Sequence, residues 1–258
     1  MKVVRTIADV RAAAPPCGPG VVGLVPTMGG LHAGHDALFR AARPACDLLV
    51  ASLFVNPAQF TDAADLETYP GNVDADAAAA EAAGVDVLFA PSVEEMYPQG
   101  FATWVDPAGV ALGLEETARP GHFRGVATVC LKLINIVSPD IAWFGRKDAQ
   151  QVAVLKQLVR DLDLELELRV VDTVRDADGL ALSSRNARLS PDERERALAI
   201  PRALATKDAA AARAVLDAAG IEPDYVTVAD LDGPTLAVAA RVGGTRLIDN
   251  VRLNGDSP

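Results

Sequence analysis

Short apolar runs alternate with stretches of helical periodicity through the first two thirds of the chain, and no other feature restricts the fold as much. Runs at residues 21–25, 47–55, 85–90, 140–144 and 165–172 read as buried strands. Residues 34–43, 73–83, 121–138 and 147–161 between them read as helices. In 121–138, Val126, Val129, Leu133, Ile134 and Val137 recur at helical spacing. Strands that alternate with helices in this way pair in parallel and are covered by helices on both faces.

The predicted class is therefore α/β, with a Rossmann-like parallel sheet. The pattern changes near Leu189-Ser190-Pro191-Asp192. Ser190 is placed to cap a helix, with Pro191 at its first position and Glu193 three residues on. Two helical segments and three strand-like runs near 224–228, 236–242 and 246–251 follow, and Gly243-Gly244 reads as a hairpin turn. The expected division is a catalytic domain over 1–186 and a smaller α+β domain over 187–258, acting as a lid.

Composition removes several classes of function. The net charge of −11 leaves no diffuse positive field for nucleic acid. The longest apolar run, 48–55, is far short of the ~20 residues of a membrane span. The first residues carry charge and no apolar signal segment. Three cysteines, Cys17, Cys46 and Cys130, form no CxxC pair, which argues against a disulfide framework and for a reducing compartment. Cys46 and Cys130 lie in apolar runs and Cys17 in a Pro/Gly-rich loop. A cytoplasmic protein is expected. Only five of the 24 basic residues are lysines, so a lysine within a motif carries weight.

The most informative stretch is Pro26-Thr27-Met28-Gly29-Gly30-Leu31-His32-Ala33-Gly34-His35, which leaves a strand and opens a helix. Glycines let main-chain amides approach a ligand, and a helix N-terminus attracts anions. His32 and His35 are three apart and share a helix face, where two imidazoles can donate to phosphate oxygens. The competing reading is that the histidines only cap the helix. A metal site would need a further ligand that the neighbourhood lacks. No P-loop string competes.

The HxGH after Pro-Thr-Met-Gly resembles the signature of the nucleotidylyltransferase superfamily. The longer string resembles one family in it, the pantoate–β-alanine ligases. The resemblance continues through Ser52-Leu53-Phe54-Val55-Asn56-Pro57-Ala58-Gln59-Phe60, Asp65-Leu66, Tyr69-Pro70 and Met96-Tyr97-Pro98. Beyond these it takes in Arg119-Pro120-Gly121-His122-Phe123-Arg124-Gly125-Val126, Phe144-Gly145-Arg146-Lys147-Asp148-Ala149-Gln150-Gln151 and Asp178-Gly179-Leu180-Ala181-Leu182-Ser183-Ser184-Arg185-Asn186.

That resemblance implies ATP-dependent condensation of pantoate with β-alanine through a pantoyl adenylate, releasing pyrophosphate and AMP. It implies catalytic roles for His32, His35, Lys147, Ser183, Ser184 and Arg185. ATP would be bound by these residues with Pro26, Thr27, Met28, Gly34, Gly145, Asp148 and Leu182. Pantoate would be bound by Gln59, Gln151, Met28 and Asn56, with His122, Arg119 and Tyr69 in support. Mg²⁺ would arrive with ATP, no side-chain metal site is expected, and the assembly would be a homodimer.

The chain departs from the family pattern at Arg146, where an acid is usual, and at Ala149, where an aromatic ring is usual. Gly71, Ala58 and Leu182 are further departures, and the tail is shorter. Arg146 is expected to add a phosphate contact or to depress the pKa of Lys147. The alternatives are a paralogous ligase for another acid or amine, a nucleotidylyltransferase, and a ligand sensor without turnover.

Overall fold

The computed structural model describes residues 1–15, 20–69 and 71–254; Cys17 and Pro70 lie outside these. The contacts divide the chain into two compact units. The first is Met1–Phe144 with Val154–Val171, and the second is Gly145–Ala153 with Asp172–Pro258. No helix among the described residues is long and apolar enough to cross a membrane.

Unit one carries a six-stranded sheet of β1 (Lys2–Val4), β2 (Val22–Thr27), β3 (Leu48–Leu53), β4 (Val87–Phe89), β5 (Ile141–Gly145) and β6 (Glu167–Val171). The order is β1-β4-β3-β2-β5-β6, and β1–β4, β4–β3, β3–β2 and β2–β5 all pair in parallel. Parallel strands covered on both faces are nearly continuous apolar runs, as Leu48–Leu53 is apart from the buried Ser52. Leu38, Phe39 and Ala42 of helix Ala33–Ala42 pack with Val25, Leu49, Leu53, Leu88 and Trp143. The chain steps from β2 through β3 to β4 on one side and places β5 and β6 on the other. The direction thus reverses at β2, and ligands of open α/β sheets bind beyond the strand ends at such a reversal.

The three-residue β1 escapes sequence reading because Lys2 and Val3 are exposed and only Val4 is buried. The sequence places a helix start at Lys147. Arg146–Asp148 instead form a 3-10 turn, and the α-helix begins at Ala149.

Unit two holds β7 (Pro223–Asp230), β8 (Pro234–Val242) and β9 (Thr245–Arg252) in an antiparallel sheet. Helices Pro191–Ala197, Ala199–Ala205 and Ala209–Ala218 accompany it, where the sequence suggests two helical segments. Leu180, Ile200, Leu204, Leu216, Leu236, Val238 and Leu247 form its core. The expected boundary at 186/187 is corrected to Val171/Asp172 by long-range contacts. Leu180 is part of the second core, and Arg175 donates to both carboxylate oxygens of Asp249 on β9 at 2.6 and 3.0 Å. Residues 145–153 join this unit: Asn250 Nδ2 donates to the carbonyls of Arg146 and Lys147 at 3.1 and 2.9 Å.

The expected capping box is present. Glu193 N donates to Ser190 Oγ at 3.3 Å, and Ser190 N to Glu193 Oε2 at 2.9 Å. Cys46 and Cys130 are free thiols, and burial pushes the Cys130 thiol up to about 12.

Gly243, in the β8–β9 turn, has φ +58°, and a Cβ there would overlap the Glu193 carboxylate. Gly243→Ala is therefore expected to strain the turn and displace the reciprocal cap of Ser190, costing about 2 kcal/mol in urea unfolding. A loss below about 0.5 kcal/mol, the range of an inert surface change, would refute this account of the turn.

Candidate active site

Each unit carries its own group of the expected site residues. In unit one, the first group lies at the C-terminal end of β2. Thr27 Oγ1 donates to Ser52 O at 2.7 Å and accepts from Gly29 N at 3.3 Å. The sequence suggests that the glycine-rich amides are open to a ligand. Two are instead taken by the buried Asp76 carboxylate, which accepts from Gly30 N at 3.0 Å and Leu31 N at 2.8 Å. Asp76 lies in helix Val73–Ala82, and nothing local in the sequence marks it.

The two histidines cap the next helix reciprocally. Gly34 N donates to His32 Nδ1 at 3.1 Å, and His32 N donates to His35 Nδ1 at 3.2 Å. Main-chain amides only donate, so each Nδ1 holds a lone pair and each neutral ring carries its proton on Nε2. The ring centroids are 4.3 Å apart. Capping and function are competing readings of His32 and His35 in the sequence. The geometry shows the cap, and the cap leaves Nε2–H of each ring as the donor.

The second group in unit one centres on Gln59, in the 3-10 turn Pro57–Gln59. Its carbonyl oxygen lies 2.9 Å from His122 Nδ1 and accepts from Arg119 Nη2 at 3.1 Å. A carbonyl cannot donate, so His122 carries a proton on Nδ1, where the other two histidines carry none. The sequence suggests a supporting role for His122 and Arg119; these hydrogen bonds hold the Gln59 main chain. Asn56, buried to 1% exposure, donates through Nδ2 to Gln59 Oε1 at 3.0 Å and to Gly125 O at 3.1 Å. Its Oδ1 accepts from Tyr97 Oη at 2.8 Å and Ala58 N at 3.3 Å. Gln59 Nε2 points at Met28 Sδ, 2.9 Å away. Tyr69 packs edge-on against Phe60 with centroids 5.7 Å apart. A Cβ on Gly125 would lie 2.3 Å from Ala58 O, so only glycine lets the helix His122–Val137 approach this turn.

In unit two, Lys147 Nζ lies 3.8 Å from Asp148 Oδ1. Its main chain follows Gly145 and is held by Asn250 on β9. Leu182 N donates to Val174 O at 2.9 Å, and Arg175 bridges Ala181, so Leu182-Ser183-Ser184-Arg185 leaves a tied loop. Ser183 Oγ accepts from Arg185 N at 3.3 Å and caps the 3-10 turn Ser184–Arg188. Asn186 Nδ2 donates to Ala181 O at 3.0 Å. Lys147, Ala181, Ser183, Asn186 and Asp249 line one cavity. Gln151 is half-buried in the first turns of helix Ala149–Asp161, beside the buried Gln150.

The expectation for Arg146 is corrected. Its guanidinium is buried in unit two and donates through Nη2 to Thr235 Oγ1 on β8 at 2.7 Å. Nε and Nη1 have no partner among the described residues. Burial and the nearby Arg252 charge lower its pKa, against Asp232 and Asp172. The side chain therefore serves the tail sheet, and a local string could not show that the residue beside Lys147 faces β8. Ala149 is buried at the helix start.

Two results are expected. Long-range ¹H–¹⁵N spectra at neutral pH should show the Nε2–H tautomer for His32 and His35 and the Nδ1–H tautomer for His122; a shared tautomer would contradict these assignments. Gly125→Ala should displace the Gln59 turn, lowering stability by about 1–3 kcal/mol in denaturant unfolding, the range for overpacking a close contact. Wild-type stability with unshifted Gln59 resonances would show that the approach is not tight.

Comparison with known proteins identifies the family. The family profile described as Pantoate-beta-alanine ligase matches residues 2–252. A pantothenate synthetase of Rhizorhabdus wittichii is 50% identical, with 97% of this chain and 98% of that protein covered. Another, of Acidobacterium capsulatum, is 46% identical over 100% of this chain and 98% of that protein. The crystal structure of pantothenate synthetase from Thermus thermophilus superposes with a TM-score of 0.92 at 43% identity, covering 98% of this chain and 99% of that one. A Francisella tularensis pantoate-beta-alanine ligase, solved with beta-gamma ATP and beta-alanine, gives a TM-score of 0.90 at 34% identity, covering 99% of each chain. The parallel sheet, the histidine cap at its reversal point and likeness along the full length together show that the chain belongs to the pantoate–β-alanine ligase family.

Proposed function

We propose that this enzyme joins pantoate to β-alanine in two steps at the expense of ATP. A pantoate carboxylate oxygen attacks the α-phosphorus, the bond to the β-phosphate bridge breaks, and pyrophosphate leaves. The β-alanine nitrogen then attacks the acyl carbon of the adenylate. The bond from that carbon to the phosphate oxygen breaks, AMP departs, and the nitrogen loses its proton to solvent.

Such transfers need positioning and neutralisation of charge more than covalent help. In this reading His32 and His35 donate from Nε2 to phosphate oxygens. Lys147 and Arg185 supply charge, the latter as a planar fork, and Ser183 and Ser184 supply hydroxyls. Asp148 accepts from a ribose hydroxyl. Pro26, Thr27, Met28, Gly34, Gly145 and Leu182 shape the nucleotide site. Gln59 and Gln151 hydrogen-bond pantoate. Mg²⁺ enters with the triphosphate, held by phosphate oxygens and water, as that ion prefers. A cytoplasmic homodimer completes the reading, supported by the free thiols of Cys46 and Cys130 and by the family resemblance.

The reciprocal histidine cap carries this proposal. It turns two neutral imidazoles into fixed donors at the strand where the sheet order reverses. Incubation with Mg-ATP, pantoate and β-alanine should yield AMP, pyrophosphate and pantothenate in equal amounts. ADP formation, or a clear preference for another acid or amine, would refute the assignment. His35→Ala should cut kcat by roughly 10²–10³-fold, the usual cost of a lost transition-state donor. Because the cap is also lost, unfolding free energy should fall by about 1 kcal/mol with the fold retained. Wild-type turnover in this variant would refute the role of His35.

A further inference from the structure

We propose that Tyr97 is a positioning residue. Through Asn56 it locks the Gln59 carboxamide with its NH₂ group presented, so that this subsite accepts an oxygen acceptor of the acid substrate. The substrate part of this inference rests on the pantoate role proposed for Gln59; the locking itself does not.

The orientation follows from groups whose polarity is fixed. Gly125 O is a main-chain carbonyl and only accepts, so the Asn56 atom 3.1 Å away is Nδ2. Ala58 N is a main-chain amide and only donates, so the Asn56 atom facing it at 3.3 Å is Oδ1. The two ends agree without reference to the ligand. The second proton of Asn56 Nδ2 points at Gln59, 3.0 Å away, and the atom that receives it is Oε1. Gln59 Nε2 therefore lies on the other side, next to Met28 Sδ, a weak acceptor that an oxygen would outcompete.

Among the described residues, Tyr97 is the one side chain hydrogen-bonded to Asn56 Oδ1. Its ring is held by Phe101 and Trp104 at centroid distances of 5.1 and 5.9 Å and by Phe54 at 6.2 Å. Burial raises the pKa of the phenol, so the hydroxyl remains a donor at neutral pH. All four hydrogen-bonding positions of Asn56 are filled by protein. The pantoate contact expected of Asn56 from the sequence is thus replaced by an indirect role.

Tyr97→Phe tests this while keeping the ring in its aromatic cluster. KM for pantoate should rise roughly five- to tenfold, the weight of one partly buried hydrogen bond, with KM for ATP unchanged within about twofold. In a Gln59→Ala background the same substitution should change the pantoate KM by less than about twofold, because coupled residues are not additive. Without substrate, hydrogen exchange of the Gln59 side-chain NH₂ should speed up roughly fivefold. Equal rises in both KM values, or additive effects in the double variant, would overturn the inference by showing a general structural role. If Gln59→Ala alone leaves the pantoate KM unchanged, the proposed substrate role of Gln59 fails. The exchange measurement then still decides the locking, and an unchanged rate in Tyr97→Phe would overturn it.

Discussion

A main-chain amide or carbonyl that leaves a strand or helix end in an apolar interior must find a partner, because leaving it unpaired costs about 1–3 kcal/mol. The loops of this enzyme meet that requirement with side chains, and the partner chosen in each case also shapes the site. Asp76 takes the amides of Gly30 and Leu31, which fixes the turn after β2. His32 and His35 take the amides of Gly34 and of His32 itself, which fixes their tautomers. Asn56 takes the carbonyl of Gly125, which fixes the amide of Gln59. Asn250 takes the carbonyls of Arg146 and Lys147, which anchors the lysine to β9. The contacts that satisfy the backbone also orient the side chains to which the proposed chemistry is assigned.

Much of this is legible in the sequence where the determinants are local. The strand, glycine turn and helix around His32 and His35 are contiguous, and so are the Ser190 capping box and the Gly243-Gly244 turn. What escapes depends on distance along the chain. Asp76 meets residues more than forty positions away, Gly125 approaches a turn nearly seventy positions away, and Asn250 reaches back over one hundred. None of these has a periodicity or a turn signature of its own. The unit boundary is misplaced by local reading for the same reason: Arg175 and Leu180 look like ordinary loop residues until Asp249 and the second core claim them.

Arg146 shows how charge should be read in an acidic chain. Beside Lys147 it looks like one more cation for a phosphate. Its side chain turns into unit two toward Thr235, with Arg252 opposing its charge and Asp232 and Asp172 supporting it. In the function proposed above, Lys147 and Arg185 are the residues assigned to supply positive charge, and the imidazoles are assigned as donors. A net charge of −11 is therefore compatible with triphosphate chemistry when cations are few and the donors are fixed.

The most direct test of the account follows the carboxylate oxygen of pantoate. With both carboxylate oxygens labelled with ¹⁸O, turnover in the presence of ATP and β-alanine should place one label in the phosphate of AMP and leave one in pantothenate. Attack at the α-phosphorus followed by cleavage at the acyl carbon requires this outcome. Label in pyrophosphate or inorganic phosphate, or both labels retained in the product, would contradict the adenylate path and the roles assigned to the residues around it.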